Sequence, residues 1–171
     1  MKKFFFVVVL CLLCSTVLSA CTVAATEHEI LSDALNIDVS AGEIKSFTDT
    51  HGGFLGDGTT YAELVFPDDS FYTTIQNNSK WVSLPLSQEL QVVVYGGTRQ
   101  NGESWQPFVR DENGNPLIPT IANGYFFFKD RQAGIGKEQD DSMLFQRYSM
   151  NFILAIYDAD TQTLYYYKYD S

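Results

Sequence analysis

The longest apolar run in the chain lies at its start. Phe4 to Leu13 is unbroken, and the run continues to Leu18 with Ser15 and Thr16 as polar interruptions. It is shorter than the roughly 20 residues a membrane-spanning helix needs. Beyond it the pattern becomes periodic. Ile30, Leu31, Ala34 and Leu35 recur at helical spacing and predict a short helix near 27–36. Ile44 to Asp49 and Thr59 to Phe66 predict two strands, the second stopped by Pro67, and together a hairpin. Asp68 and Asp69 stand where caps belong for a helix carrying Phe71 and Ile75, ended by Asn77-Asn78. Trp81 to Pro85 predicts a connector. Ser87 predicts the cap of a second helix with Leu90, Val93 and Val94 on one face, closed by Gly96-Gly97. The β-prone run Val92 to Tyr95 makes a strand the competing assignment there.

Residues 98–120 show no period, and Asp111 to Pro116 is a strong turn signal. Tyr125–Lys129, Arg147–Tyr157 and Thr163–Tyr169 predict three further strands, the last two joined by Asp158 to Gln162. Helices and strands are segregated rather than alternating. That order predicts an α+β fold, a mainly antiparallel sheet with a few short helices on one face.

Two lysines precede the opening apolar run, and Leu18-Ser19-Ala20-Cys21 follows it. Positive charge, apolar run and small residues in that order are a secretory signal. The aliphatic, small, small, cysteine ending resembles the lipobox of bacterial lipoproteins. It implies cleavage before Cys21 and a diacylglyceryl group on its thiol. Each buried methylene contributes about 0.8 kcal/mol, so two chains on one cysteine anchor stably where a single chain binds only marginally. The expected organisation is a signal peptide at 1–20, a lipidated tether at 21–26 and one α+β domain at 27–171. The expected location is the extracytoplasmic face of the cell membrane.

Composition narrows the partners. The formal net charge is −10, and loss of Lys2 and Lys3 with the signal makes it −12. Such a surface repels nucleic acid and anionic lipid headgroups, so the anchor, not surface charge, must hold the domain. A cationic protein or a wall component is an allowed partner. Cys11 and Cys14 form a C-x-x-C that leaves with the signal, and Cys21 carries lipid. The mature domain therefore has no disulfide and no cysteine–metal site. Two histidines, His28 and His51, are too few for a structural zinc site, and no cofactor is expected.

The segment His51 to Gly58 is the most unusual local feature, with four glycines in eight residues. Asp49, His51 and Asp57 are weak candidates there for a general base or a cation site. A tight strand connection with turn-forming aspartates explains the same residues. The His51-Gly52-Gly53 run lacks the G-x-S-x-G elbow of α/β-hydrolases, and its glycines do not match G-x-G-x-x-G. Asp158-x-Asp160-x-Gln162 starts like a calcium loop but lacks its glycine and final glutamate. Asp111, Asn113 and Asn115 are explained by the Gly114 turn. Asp130-Arg131 and Arg147 are expected to form salt bridges that pin the Asp140-Asp141 loop. Tyr165, Tyr166, Tyr167 and Tyr169, with Phe126 to Phe128, must alternate across a sheet. One face is core; the other either exposes tyrosine to a partner or glycan, or forms stabilising cross-strand pairs.

Asp49-Thr50-His51-Gly52-Gly53-Phe54-x-Gly56-Asp57-Gly58, Asn123-Gly124-Tyr125, Asp130-Arg131 and Asn151-Phe152 through Tyr157-Asp158 together resemble an uncharacterised set of small lipoproteins from gut Firmicutes. The resemblance covers most of the mature chain and carries no known activity. It implies the anchor, a common fold and a domain facing outward into the wall. The leading expectation is a non-enzymatic binding or interaction domain that needs an exposed aromatic or apolar patch. The alternatives are a wall-associated enzyme using Asp49, His51 and Asp57, and an inhibitor or immunity-type protein for a cationic target.

Overall fold

A computed structural model describes residues 24–52 and 56–171. The signal segment, Cys21 and the middle of the glycine-rich loop lie outside the described residues. Helix α1 is Glu27–Leu35, α2 is Ser70–Gln76 and α3 is Gln88–Tyr95. The strands are β1 Glu43–Asp49, β2 Gly58–Val65, β3 Trp81–Ser83, β4 Gly97–Thr98, β5 Ser104–Trp105, β6 Gly124–Asp130, β7 Asn151–Asp158 and β8 Thr163–Asp170. Six strands form one sheet in the order β1-β2-β8-β7-β6-β3, every neighbouring pair antiparallel. β4 and β5 form a separate two-stranded ribbon. No helix among the described residues is long and apolar enough to cross a membrane.

The α+β class and the mainly antiparallel sheet are as expected. The helices, however, lie on both faces. Leu31 and Leu35 of α1 and Phe71 and Ile75 of α2 pack with Ala62, Leu64, Ile153, Ala155, Tyr157, Leu164 and Tyr166. Leu90, Val93 and Val94 of α3 pack with Phe128, Phe152, Leu154, Ile156, Tyr165 and Tyr167 on the opposite face. Alternation along each strand divides the side chains between these two layers. Consequently β7 is buried at every position from Phe152 to Tyr157. Of the four tyrosines, Tyr165, Tyr166 and Tyr167 are buried, which fits the structural reading, and Tyr169 is partly exposed. Their second face is covered by α3 and the irregular segment that follows it.

Local chemistry explains the helices. Thr26 and Glu29 form a reciprocal capping box before α1, and Asn36 closes it in the left-handed conformation. The Ser87 hydroxyl accepts from Leu90 N–H at 3.2 Å, starting α3. This cap, with Leu90, Val93 and Val94 buried at helical spacing, overrides the strand propensity of Val92 to Tyr95. Trp81–Ser83, expected as a connector, pairs with Tyr125–Phe127 as a sheet strand. The predicted strand from Arg147 starts only at Asn151; a 3₁₀ turn at Leu144–Gln146 precedes it.

Candidate functional site

Among the described residues, a histidine–carboxylate cluster and an aromatic groove lie on opposite sides of the sheet. The first is the His51 cluster at the closed end of the β1–β2 hairpin. Thr50 and Thr59 exchange hydrogen bonds across the loop base, with Thr50 N–H to Thr59 O at 2.8 Å and Thr59 N–H to Thr50 Oγ1 at 2.9 Å. Gly58 allows His51 to approach, since a Cβ there would lie 2.6 Å from His51 Cα. His51 Nδ1 lies 2.5 Å from Asp49 Oδ1, and its backbone N–H donates to the same oxygen at 2.9 Å. On the other side of the ring, Nε2 lies 3.1 Å from Asp170 Oδ2. Asp170 also pairs with Arg131 and with Lys168.

Asp49 and His51 are thus brought together; Asp57 is exposed and makes no hydrogen bond to either of them among the described residues. Asp170 takes the place expected for Asp57. It lies 119 residues from His51, and only the β2–β8 pairing joins them. Partial burial acts to raise the Asp49 carboxyl, but hydrogen bonds from the His51 backbone and ring outweigh it and hold the group below its ordinary value. Burial acts the same way on Asp170, and Lys168 and Arg131 overcome it. Both ring nitrogens of His51 face protein carboxylates. A general base needs a nitrogen directed at a substrate proton. The groove of Trp105 and Tyr169 and the cavity beside Lys80 and Lys129 are lined by other side chains. The cluster ties the hairpin end to the C-terminal strand.

The second place includes two of the tyrosines that the sequence put forward, Tyr167 and Tyr169. Trp105, Phe108, Tyr167 and Tyr169 line an open groove of about 670 Å³, with Thr59, Ser104, Gln106, Arg110, Asp111 and Glu112 around it. Trp105 is one of the exposed large apolar side chains, at 36%. Its ring lies 5.1 Å from Phe145 and 5.9 Å from Phe108, the latter nearly parallel at 24°. Phe108 meets Tyr169 edge-on at 5.3 Å. Behind this layer, Arg99 sits over the Phe145 ring at 4.5 Å. Arg99 is fixed by Glu89 of α3 through two bonds of 2.8 and 3.0 Å and by Glu103 at 2.8 Å.

The backbone places the wall. Gly96 ends α3 at φ +71°, and a Cβ there would lie 2.9 Å from both Pro107 Cδ and Trp105 O. Only glycine lets the chain leave the helix and fold Trp105 back over the sheet. The far wall is a turn in which Asp111 Oδ1 accepts from the N–H groups of Asn113 and Asn115 at 2.9 and 2.8 Å. Tyr167 OH donates to Phe108 O at 3.2 Å, joining the segment to β8. In sequence the site shows as Tyr167 and Tyr169 of the tyrosine-rich strand and as Trp105 and Phe108 in a stretch without period.

The remaining motifs are turns and pins. Asp158 accepts from Asp160 N–H and Thr161 Oγ1, both at 2.9 Å, within the β7–β8 connection. The arginines expected at Asp140-Asp141 pair elsewhere: Arg147 with the buried Asp130, and Arg131 with Asp170. Asp141 instead hydrogen-bonds the Ser87 hydroxyl. Partial burial pushes its carboxyl up, Ser87 opposes this, and Asp140 adds to it.

Comparison with known proteins finds no matching family model, no matching curated protein and no matching solved structure.

Proposed function

We propose that the chain is a lipid-anchored extracytoplasmic lipoprotein whose folded domain is a non-enzymatic binding module. The observation that carries the binding reading is the groove of Trp105, Phe108, Tyr167 and Tyr169, a concave aromatic surface with a polar margin. Binding sites are commonly concave, lined by aromatic side chains and oriented by a few polar groups. The groove is built on short, braced segments, so little ordering cost attends occupation. The His51 cluster supports the enzyme alternative less well, because both ring nitrogens are taken by Asp49 and Asp170. The anchor reading rests on Leu18-Ser19-Ala20-Cys21 and on the resemblance to small lipoproteins. The short tether from Cys21 would keep the groove near the membrane, facing wall components.

Two measurements test this. Mass spectrometry of the mature N-terminus should find a diacylglyceryl mass on Cys21, and Cys21→Ala should move the protein to the soluble fraction. An unmodified Cys21 in membrane-associated protein would end the anchor reading. The chain has two tryptophans, and Trp81 is buried. A change in fluorescence on adding ligand therefore reports on Trp105. Titration with solubilised wall fragments should give a saturable change that Tyr169→Ala, which leaves the reporter in place, weakens. A flat titration would remove the groove as a binding site.

A further inference from the structure

We infer that the ligand of this groove is a carbohydrate chain, laid with a sugar face against the Trp105 indole; the inference rests on the binding-module reading. A pyranose ring has an apolar C–H face and a rim of hydroxyl groups. The groove matches both. Trp105, Phe108 and Tyr169 supply aromatic surface, and Gln106, Arg110 and Glu112 supply donors and acceptors beside it. Arg110 uses one N–H on Pro107 O at 2.8 Å, so the rest of its fork is available to hydroxyl oxygens. Glu112 is exposed and accepts only.

Other ligand classes fit less well. A polyanion meets Asp111, Glu112 and a chain of net charge −10. A peptide strand added by backbone pairing needs an unpaired strand of some length, whereas β2 and β8 beneath the groove are paired on both sides and the edge strand β5 is two residues long. A purely apolar ligand would leave Gln106, Arg110 and Glu112 desolvated without partners. The groove is open-sided and lies within the usual size range of ligand pockets, roughly 300–1,000 Å³. It suits several units of a chain better than one enclosed monosaccharide.

The test is calorimetric titration of the full chain in detergent micelles with an N-acetylglucosamine hexamer and with cellohexaose, using hexalysine as the non-sugar probe. At least one hexamer should bind saturably, and more tightly than its monosaccharide. Trp105→Ala should weaken binding about 10- to 100-fold, as loss of a central aromatic anchor does. Because that variant also removes a side chain of the β4–β5 ribbon, Glu112→Gln provides the second arm. It removes an exposed charge with no packing role and should weaken binding by about three- to tenfold, the difference between a charge-assisted and a neutral hydrogen bond. Absence of binding by both hexamers at millimolar concentration overturns the inference, as does binding that neither variant alters. If hexalysine saturates the groove and the sugars do not, the carbohydrate assignment falls while the binding module stands. If no probe binds and wall fragments leave Trp105 fluorescence unchanged, both fall.

Discussion

Asp130 ends β6 with its side chain fully buried, and Arg147 reaches it from the segment before β7. Arg147→Met should be among the most damaging single changes in the domain. Methionine retains most of the aliphatic stem, so packing is kept while the charge is removed. The carboxylate then keeps one hydrogen bond, from Gln132 N–H at 2.9 Å, and loses its counter-charge. Breaking a buried pair from one side costs about 3–5 kcal/mol. Arg147 is itself 23% exposed, so solvent can partly replace it and the lower end, about 3 kcal/mol, is expected. With a urea slope of roughly 1–3 kcal/mol/M, the midpoint should fall by about 1–3 M. Urea unfolding followed by far-UV circular dichroism measures this. Adding Asp130→Asn should recover at least about 1 kcal/mol, since the amide keeps the Gln132 bond and carries no charge. A loss under about 1 kcal/mol for Arg147→Met, or a double variant no better than the single one, would refute the argument.

Two further outcomes are expected. The Tyr166 hydroxyl is buried with no hydrogen-bond partner among the described residues, so Tyr166→Phe should stabilise by about 1 kcal/mol; a comparable loss would show that the hydroxyl has a partner. The Asp49 and Asp170 carboxyls are both held below their ordinary values. Their contribution is complete above the unfolded carboxylate range near 4 and is lost as pH falls through the lower folded values. Melting temperature should therefore drop steeply below about pH 4, and Asp170→Asn should flatten that acid limb while lowering stability at pH 7. Parallel acid limbs in the two proteins would count against the cluster as a contributor to acid sensitivity.

Elements with a clear period or a clear cap were legible in the chain. The Ser87 cap and the Leu90, Val93, Val94 face announced α3 despite its valines. The β7–β8 hairpin was legible because two aromatic, β-branched strands flank an Asp-rich turn. β3 was not, because three residues cannot display an alternation. The tyrosine strands showed that two faces existed, but not that both were covered. That depends on α3 crossing the second face, a tertiary fact absent from local pattern. For His51 the sequence offered its neighbours, Asp49 and Asp57. The fold kept Asp49 and supplied Asp170 from the last strand, a partner set by register alone. Trp105 and Phe108 stood in an irregular stretch, where a structural side chain and a binding side chain look alike.

The sheet ends in β1 on one side and β3 on the other. β1 carries Glu43 and Lys45 and breaks its register between Ile44 and Ser46; β3 is three residues long. Exposed strand margins are templates for another chain to add to, and charge, irregular register and brevity all oppose such addition. The proposed anchor would confine many copies to a thin layer and raise their effective concentration. Lateral encounters there would be frequent and similarly oriented. A sheet with both margins blunted lets such a layer stay populated by separate monomers rather than grow into fibres.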